Sequence, residues 1–183
     1  WIISPPFRNL VVLSTSREHY SVHSYNAFLL LQTISIAAGT AHARKMRGDT
    51  GKVYCLLGDG ELQEGQTWEC IQAASYYHLD NFVIVIDANG QQVEGAVDQQ
   101  MALEPLAARF TAFGAKCATC SGHNIEKLLQ AAQTPHPEQP LILLCRTRGT
   151  TGIPLLEKKW PFLHFVRISE EEKADYQAFY EAM

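Results

Sequence analysis

Apolar residues gather along this chain in short, nearly uninterrupted runs. Four of them stand out: LVVLS at 10–14, KVYCLL at 52–57, FVIVID at 82–87 and LILLCR at 141–146. They lack the strict alternation of a half-buried strand, so they predict strands covered on both faces. Between and after them lie helical candidates over 24–46, 63–78, 103–113, 124–133 and 170–182. His123-Asn124-Ile125-Glu126 reads as a helix entry, and Ser169 with Glu172 has capping-box spacing. Strands alternating with helices of this length predict an α/β fold, a three-layer parallel sheet with helices on both faces.

The 183 residues suit a single domain spanning 1–183, with no internal repeat, low-complexity tract or linker. With 46% hydrophobic and 19% charged residues, the composition is neither that of a disordered chain nor that of a membrane protein. A net charge of −4 leaves no basic footprint for nucleic acid. The least charged stretch, 24–43, contains Asn26, Gln32, Thr33, Ser35 and His42, too many polar groups for a bilayer span. Five cysteines, at 55, 70, 117, 120 and 145, do not resemble a disulfide framework. With no signal-peptide pattern at the N-terminus, a reducing cytoplasm is the expected compartment. Cys117 and Cys120 form a C-x-x-C, but no second pair stands at zinc-site spacing.

The candidate chemistry lies in VYCLLGDGELQEGQTWE at 53–69. A strand ending at Leu57 puts Gly58-Asp59-Gly60 at its carboxyl end, where open α/β sheets bind ligands. Glycine amides and a following helix N-terminus suit a phosphate. Asp59 would repel a bare phosphate, so the turn makes sense as half of a site in which a divalent cation stands between carboxylate and diphosphate. The other half is expected from the next strand end, Asp87-Ala88-Asn89-Gly90-Gln91-Gln92, with a side-chain oxygen from Asn89 and a backbone carbonyl from Gln91. Asp and Asn are also common turn formers, and one residue alone would not separate the two readings.

The segment GDGELQEGQTWECIQAASYYHLDNFVIVIDANGQQVEG closely resembles the thiamine diphosphate-binding region of transketolases, especially split forms whose N-terminal half is a separate subunit. The resemblance is dense from 34 to 147 and takes in SIAAGTA, LEPLAARFTAFG, SGHNIEKL and PLILLCRT. It implies that Asp59, Asn89 and the Gln91 carbonyl hold Mg²⁺ or Ca²⁺, and that Gly58 and Gly60 place backbone against the diphosphate of thiamine diphosphate. Glu64 matches an interface acid near the pyrimidine-activating glutamate of the facing domain, although a first-turn helix acid would look the same. Glu61 receives no duty beyond helix entry.

LSTSREHYSVHSY resembles the family's L-S-K-G-H stretch, which makes His19 the match to a histidine near the substrate channel. Arg17 and Glu18 stand where the family has Lys and Gly. His164, after EKKWPFL, is set against the histidine following the K-G-K-G loop, which here reads RGTTG. Family segments are absent near 31–33 and near 148–152, either as deletions or, the preferred reading, as missing loops. No residue matches the pyrimidine-activating glutamate, so the resemblance implies a complementing pyrimidine-binding subunit, in an α2β2 assembly, and a sugar or sugar phosphate substrate. The implied reaction moves a two-carbon ketol unit from a ketose to an aldose. Alternatives are a deoxyxylulose phosphate synthase-like or 2-oxo acid dehydrogenase-like component, or a regulatory module that keeps the fold. The dehydrogenases usually carry paired asparagines where this chain has Asp87-Ala88-Asn89.

Overall fold

The computed structural model describes the backbone of residues 11–14, and residues 33–92, 95–160, 163 and 166–182 in full. Strand β1 is Val11–Ser14, helix α1 Thr33–Met46 and strand β2 Val53–Gly58. A 3₁₀ turn, Asp59–Gln63, leads into helix α2, Gly65–Tyr76, and then strand β3, Phe82–Ala88. Gln91–Gln92 (β4) and Gly95–Ala96 (β5) form a small antiparallel hairpin. Helices α3, Val97–Gln100, and α4, Leu106–Ala112, precede strand β6, Lys116–Ser121, helix α5, Ile125–Ala132, and strand β7, Leu141–Arg146. A second 3₁₀ turn, Pro154–Lys159, and helix α6, Glu170–Glu181, follow.

The main sheet is parallel throughout, in the order β1-β2-β3-β7-β6. Alternate residues of its strands point to opposite faces and bury against different helices. On one face Val53, Cys55, Leu57, Phe82, Ile84, Ile86, Ile142 and Leu144 pack with Ile34 of α1, Ile71 of α2 and Phe110 of α4. On the other, Val83, Leu141, Leu143 and Cys145 pack with Leu128 and Ala131 of α5. Full burial of each large apolar side chain stabilises the fold by about 1.5–3 kcal/mol before entropy is counted. The parallel three-layer arrangement expected from the apolar runs is therefore present, with α1, α2 and α4 on one side and α5 on the other.

Several local expectations are corrected. Lys116–Ser121 is a strand that the apolar pattern did not predict: it is the sheet edge, polar and half-exposed, so it lacks a continuous apolar run. The helix expected from residue 63 begins at Gly65, because 59–63 wind as 3₁₀ first. Helix α4 is shorter than 103–113; it starts after Pro105 and stops before Gly114, whose φ of +88° lies in the left-handed region that favours glycine. The entry at Asn124 holds, its Oδ1 accepting the Lys127 amide at 2.9 Å, and Ser169 with Glu172 closes the expected capping box. Residues 148–152 form a hydrogen-bonded turn, with Thr151 N–H donating to Arg148 O at 3.0 Å. The candidate helix residues 24–32 lie outside the described residues, as do 31 and 32 of the first expected gap. Among the described residues no helix is long and apolar enough to cross a membrane.

Candidate cation and diphosphate site

Strands β2 and β3 are neighbours, with Gly58 level with Asp87, so the two loop tips singled out in the sequence leave the same rim of the sheet side by side. Asp59 sits on the first tip, only 4% exposed. Its Oδ2 accepts the Gly90 amide of the second tip at 2.6 Å. Its Oδ1 is buried without a hydrogen-bond partner. Burial pushes the Asp59 carboxyl up to about 6; the nearby Asp87 charge adds to this, while the amides of Gly90 and Gly60 oppose it. A buried carboxylate oxygen with no donor is costly unless a positive group meets it.

The second tip is held by its own short hydrogen bonds. Asn89 Oδ1 accepts the Gln91 amide at 2.8 Å, and Asn89 Nδ2 donates to Asp87 Oδ2 at 2.9 Å. Gly90 turns the chain at φ +73°, the left-handed region that glycine enters without Cβ strain. Its carbonyl accepts the Val97 amide at 3.0 Å, which ties the hairpin back to the tip. Gln91 opens β4, and its side-chain Oε1 accepts the Leu163 amide at 3.0 Å.

Around Asp59, residues outside the expected set shape the turn. Glu61 Oε2 accepts the Gly58 amide at 2.7 Å, so that amide is already engaged within the loop. Thr67, buried in α2, donates through Oγ1 to Glu61 O at 2.9 Å, and Trp68 Nε1 donates to Leu62 O at 2.8 Å. These three contacts hold the 3₁₀ turn that aims Asp59. Gly60 lies against Gln92: a Cβ there would stand 3.3 Å from Gln92 Oε1. Glu64 is exposed at the N-cap position of α2, and its side chain makes no capping hydrogen bond.

Two cavities open beside the tips. One, of about 640 Å³, is lined by Asp59, Asn89, Gly90, Glu104, Arg146 and Trp160 among others; Glu104 Oε1 and Arg146 Nη1 pair there at 2.5 Å. The other, of about 540 Å³ on the α5 side, is lined by Leu56, Asp87, Asn89, Gln91, His123 and Thr147 among others. Asn89 borders both. His123 Nε2 accepts the Arg148 amide at 2.8 Å, so its role in the wall is structural. His19 and His164 lie outside the described residues.

The residues at the tips fit a hard divalent cation. Asp59 Oδ1 needs a positive neighbour, and a carboxylate with an amide oxygen and a carbonyl is an all-oxygen donor set of the kind Mg²⁺ and Ca²⁺ take. Among the described residues no three His, Cys, Asp or Glu side chains are grouped as they would be to hold a metal ion by themselves. Asp59, Asn89, Gln91 and the glycine turn were legible in the sequence. The supporting contacts of Asp87, Glu61 and Thr67 were not read from the sequence, although they are short-range, because their residue types also suit ordinary turn and helix-entry positions, and Thr147 was missed because its partner Asp87 lies 60 positions away.

Comparison with known proteins places this geometry in a family. Residues 30–175 match the transketolase, thiamine diphosphate binding domain. A transketolase family protein of Sinorhizobium fredii is 38% identical over 78% of this chain and 52% of its own. An apulose-4-phosphate transketolase subunit from Actinobacillus succinogenes is 32% identical over 75% of this chain and 50% of its own. The chain thus spans about half the length of these curated relatives. The crystal structure of Campylobacter jejuni transketolase superposes with a TM-score of 0.58 and 32% identity, covering 64% of this chain and 20% of that one. A buried aspartate on one strand tip, an asparagine on the next and a family match that runs through both lead to one conclusion: the chain belongs to the transketolase thiamine diphosphate-binding domain family.

Proposed function

We propose that the chain is the diphosphate-binding subunit of a split transketolase-like enzyme, moving a two-carbon ketol unit from a ketose or its phosphate to an aldose acceptor. The observation that carries this reading is Asp59, buried with Oδ1 unpartnered while Oδ2 clamps the neighbouring tip. Asp59, the Asn89 side chain and the Gln91 carbonyl would hold Mg²⁺ or Ca²⁺, and the amides around Gly60 would face the diphosphate. Bound thiamine diphosphate supplies the carbanion chemistry; the protein supplies orientation and electrostatics. Glu64, exposed at the head of α2, would face a pyrimidine-binding subunit in this reading, and that subunit would bring the pyrimidine-activating glutamate. An α2β2 assembly, with two such halves paired about a twofold axis, is the arrangement this reading expects. The Actinobacillus relative, matched at half its length, carries the name of one subunit in a transketolase, and that supports a two-chain enzyme.

His19 and His164 enter as candidate contacts to substrate hydroxyls, able to hydrogen-bond or carry protons near neutral pH. The test pairs calorimetry with reconstitution. Wild-type chain should bind thiamine diphosphate only with Mg²⁺ or Ca²⁺, and N89A should bind it far more weakly. Ketol transfer should be absent from the purified chain and appear on adding the pyrimidine-binding subunit. Turnover by the isolated chain, or equal binding by N89A, overturns the assignment.

A further inference from the structure

We infer that Asp87, backed by Thr147, is a positioning residue that decides which end of the Asn89 amide faces the candidate cation site; this rests on the functional reading above. Asp87, next to last in β3, stands level with Gly58 of β2 and Cys145 of β7. One of its carboxylate oxygens accepts Asn89 Nδ2 at 2.9 Å, and the other accepts the Thr147 hydroxyl. On the far side of the amide, the Gln91 N–H donates to Asn89 Oδ1 at 2.8 Å.

Those two neighbours have opposite and fixed characters. A carboxylate only accepts, and a backbone N–H only donates. Turning the Asn89 amide over would set oxygen against oxygen at Asp87 and N–H against N–H at Gln91, converting two hydrogen bonds into two repulsions. The amide is therefore locked, with its oxygen on the Gln91 side, and that oxygen keeps a second lone pair. Orientation matters because a hard cation takes the oxygen of an amide and not its nitrogen. Loss of a partner that orients a metal ligand commonly weakens metal binding 10- to 100-fold.

Thr147 and Gly122 extend the support to a third and a fourth strand end. The Thr147 amide donates to Ala88 O at 3.3 Å, which fixes the residue beside β3. A Cβ on Gly122 would stand 2.3 Å from Thr147 Cγ2, so the bare glycine after β6 is what leaves room for Thr147 to reach Asp87. The amide orientation at one tip is thus set by residues following β6 and β7, outside the motif that names the site.

The test uses the full chain as wild type, D87N, T147V, T147S and N89A. Mn²⁺ uptake in the presence of thiamine diphosphate is followed by electron paramagnetic resonance, and the Asn89 side-chain NH₂ by NMR in the metal-free protein. Wild type and T147S should show one slowly exchanging Asn89 Nδ2 proton. D87N should lose it and bind Mn²⁺ about 10- to 100-fold more weakly, with T147V between the two. T147V is isosteric and decides the matter if D87N fails to fold. If D87N and T147V keep both the protected proton and full affinity while N89A loses binding, the inference fails and the functional reading stands. If N89A binds like wild type, or wild type takes up no Mn²⁺, the functional reading fails, and the NMR signal alone reports whether Asp87 holds the amide.

Discussion

Asp59 Oδ2 and the Gly90 amide meet at 2.6 Å across the gap between the ends of β2 and β3, joining residues 31 positions apart in the chain. The bond leaves Asp59 Oδ1 facing inward with nothing to accept. Stability without a ligand and the proposed hold on a cation are consequently opposed at this one carboxylate.

Replacing Asp59 by asparagine should separate those two effects. The carboxyl rises from 3.8 to about 6 on folding, so the folded state holds its proton more tightly than the unfolded one. The resulting destabilisation is absent below about 3.8, grows through the interval and is complete above about 6. At pH 7 the cost is at most about 3 kcal/mol, partly offset in D59N by a new unpaired NH₂. D59N should therefore unfold in urea about 1 kcal/mol later than metal-free wild type at pH 7, and because its unpaired NH₂ costs the same at every pH the difference should shrink and change sign as pH falls toward about 4. Mg²⁺ with thiamine diphosphate should stabilise wild type by about 2–3 kcal/mol at a hundredfold excess over Kd and leave D59N unmoved.

Helix α6 has its own pH signature. Glu172 is pulled down to about 2, first by the Lys159 side chain and then by the Ser169 amide. Its contribution is fully present above the unfolded value of 4.5 and disappears as pH falls through about 2. Proteolysis within 166–182 should accelerate in wild type across that window. E172Q should be equally susceptible at both ends of it.

Gly122→Ala tests the crowding at the end of β6. The new methyl would stand 2.3 Å from Thr147 Cγ2, and threonine is stiff about χ1 with its hydroxyl engaged on Asp87. G122A should lose about 1–3 kcal/mol in urea unfolding. Serine lacks the offending methyl but keeps the hydroxyl, so G122A/T147S should recover most of that loss, a non-additivity that identifies the contact.

Trp68 links the core to the 3₁₀ turn. It stacks on Phe110 with centroids 5.3 Å apart, and its Nε1 donates to Leu62 O at 2.8 Å. F110A should cost about 3–5 kcal/mol as a plain cavity in the core. W68F should cost roughly 1–3 kcal/mol. Hydrogen exchange distinguishes them: W68F should speed local exchange at 59–64 beyond what its global stability explains.

Strands β2, β3 and β7 were legible because parallel strands covered by helices on both faces can be apolar at nearly every position, as LILLCR is. β6 was not, because an edge strand reading KCATCS has little apolar surface to declare itself. The glycines that bracket it, Gly114 and Gly122, were the usable signal. Asp59 and Asn89 could be found because their chemistry and spacing sit in consecutive loops. Glu61 was visible but looked like an ordinary helix-entry acid, since nothing local says that its carboxylate bends back to Gly58. Thr147 was hidden further still: its link to Asp87 spans 60 positions and exists only once β7 has slotted in beside β3.

Asn89 is the partition shared by the two hollows at the rim, the wider one toward Arg146 and the narrower one toward α5. Because Asp87 and the Gln91 amide grip both ends of that side chain, a guest in either hollow meets a wall that does not yield, and the two chambers keep separate shapes.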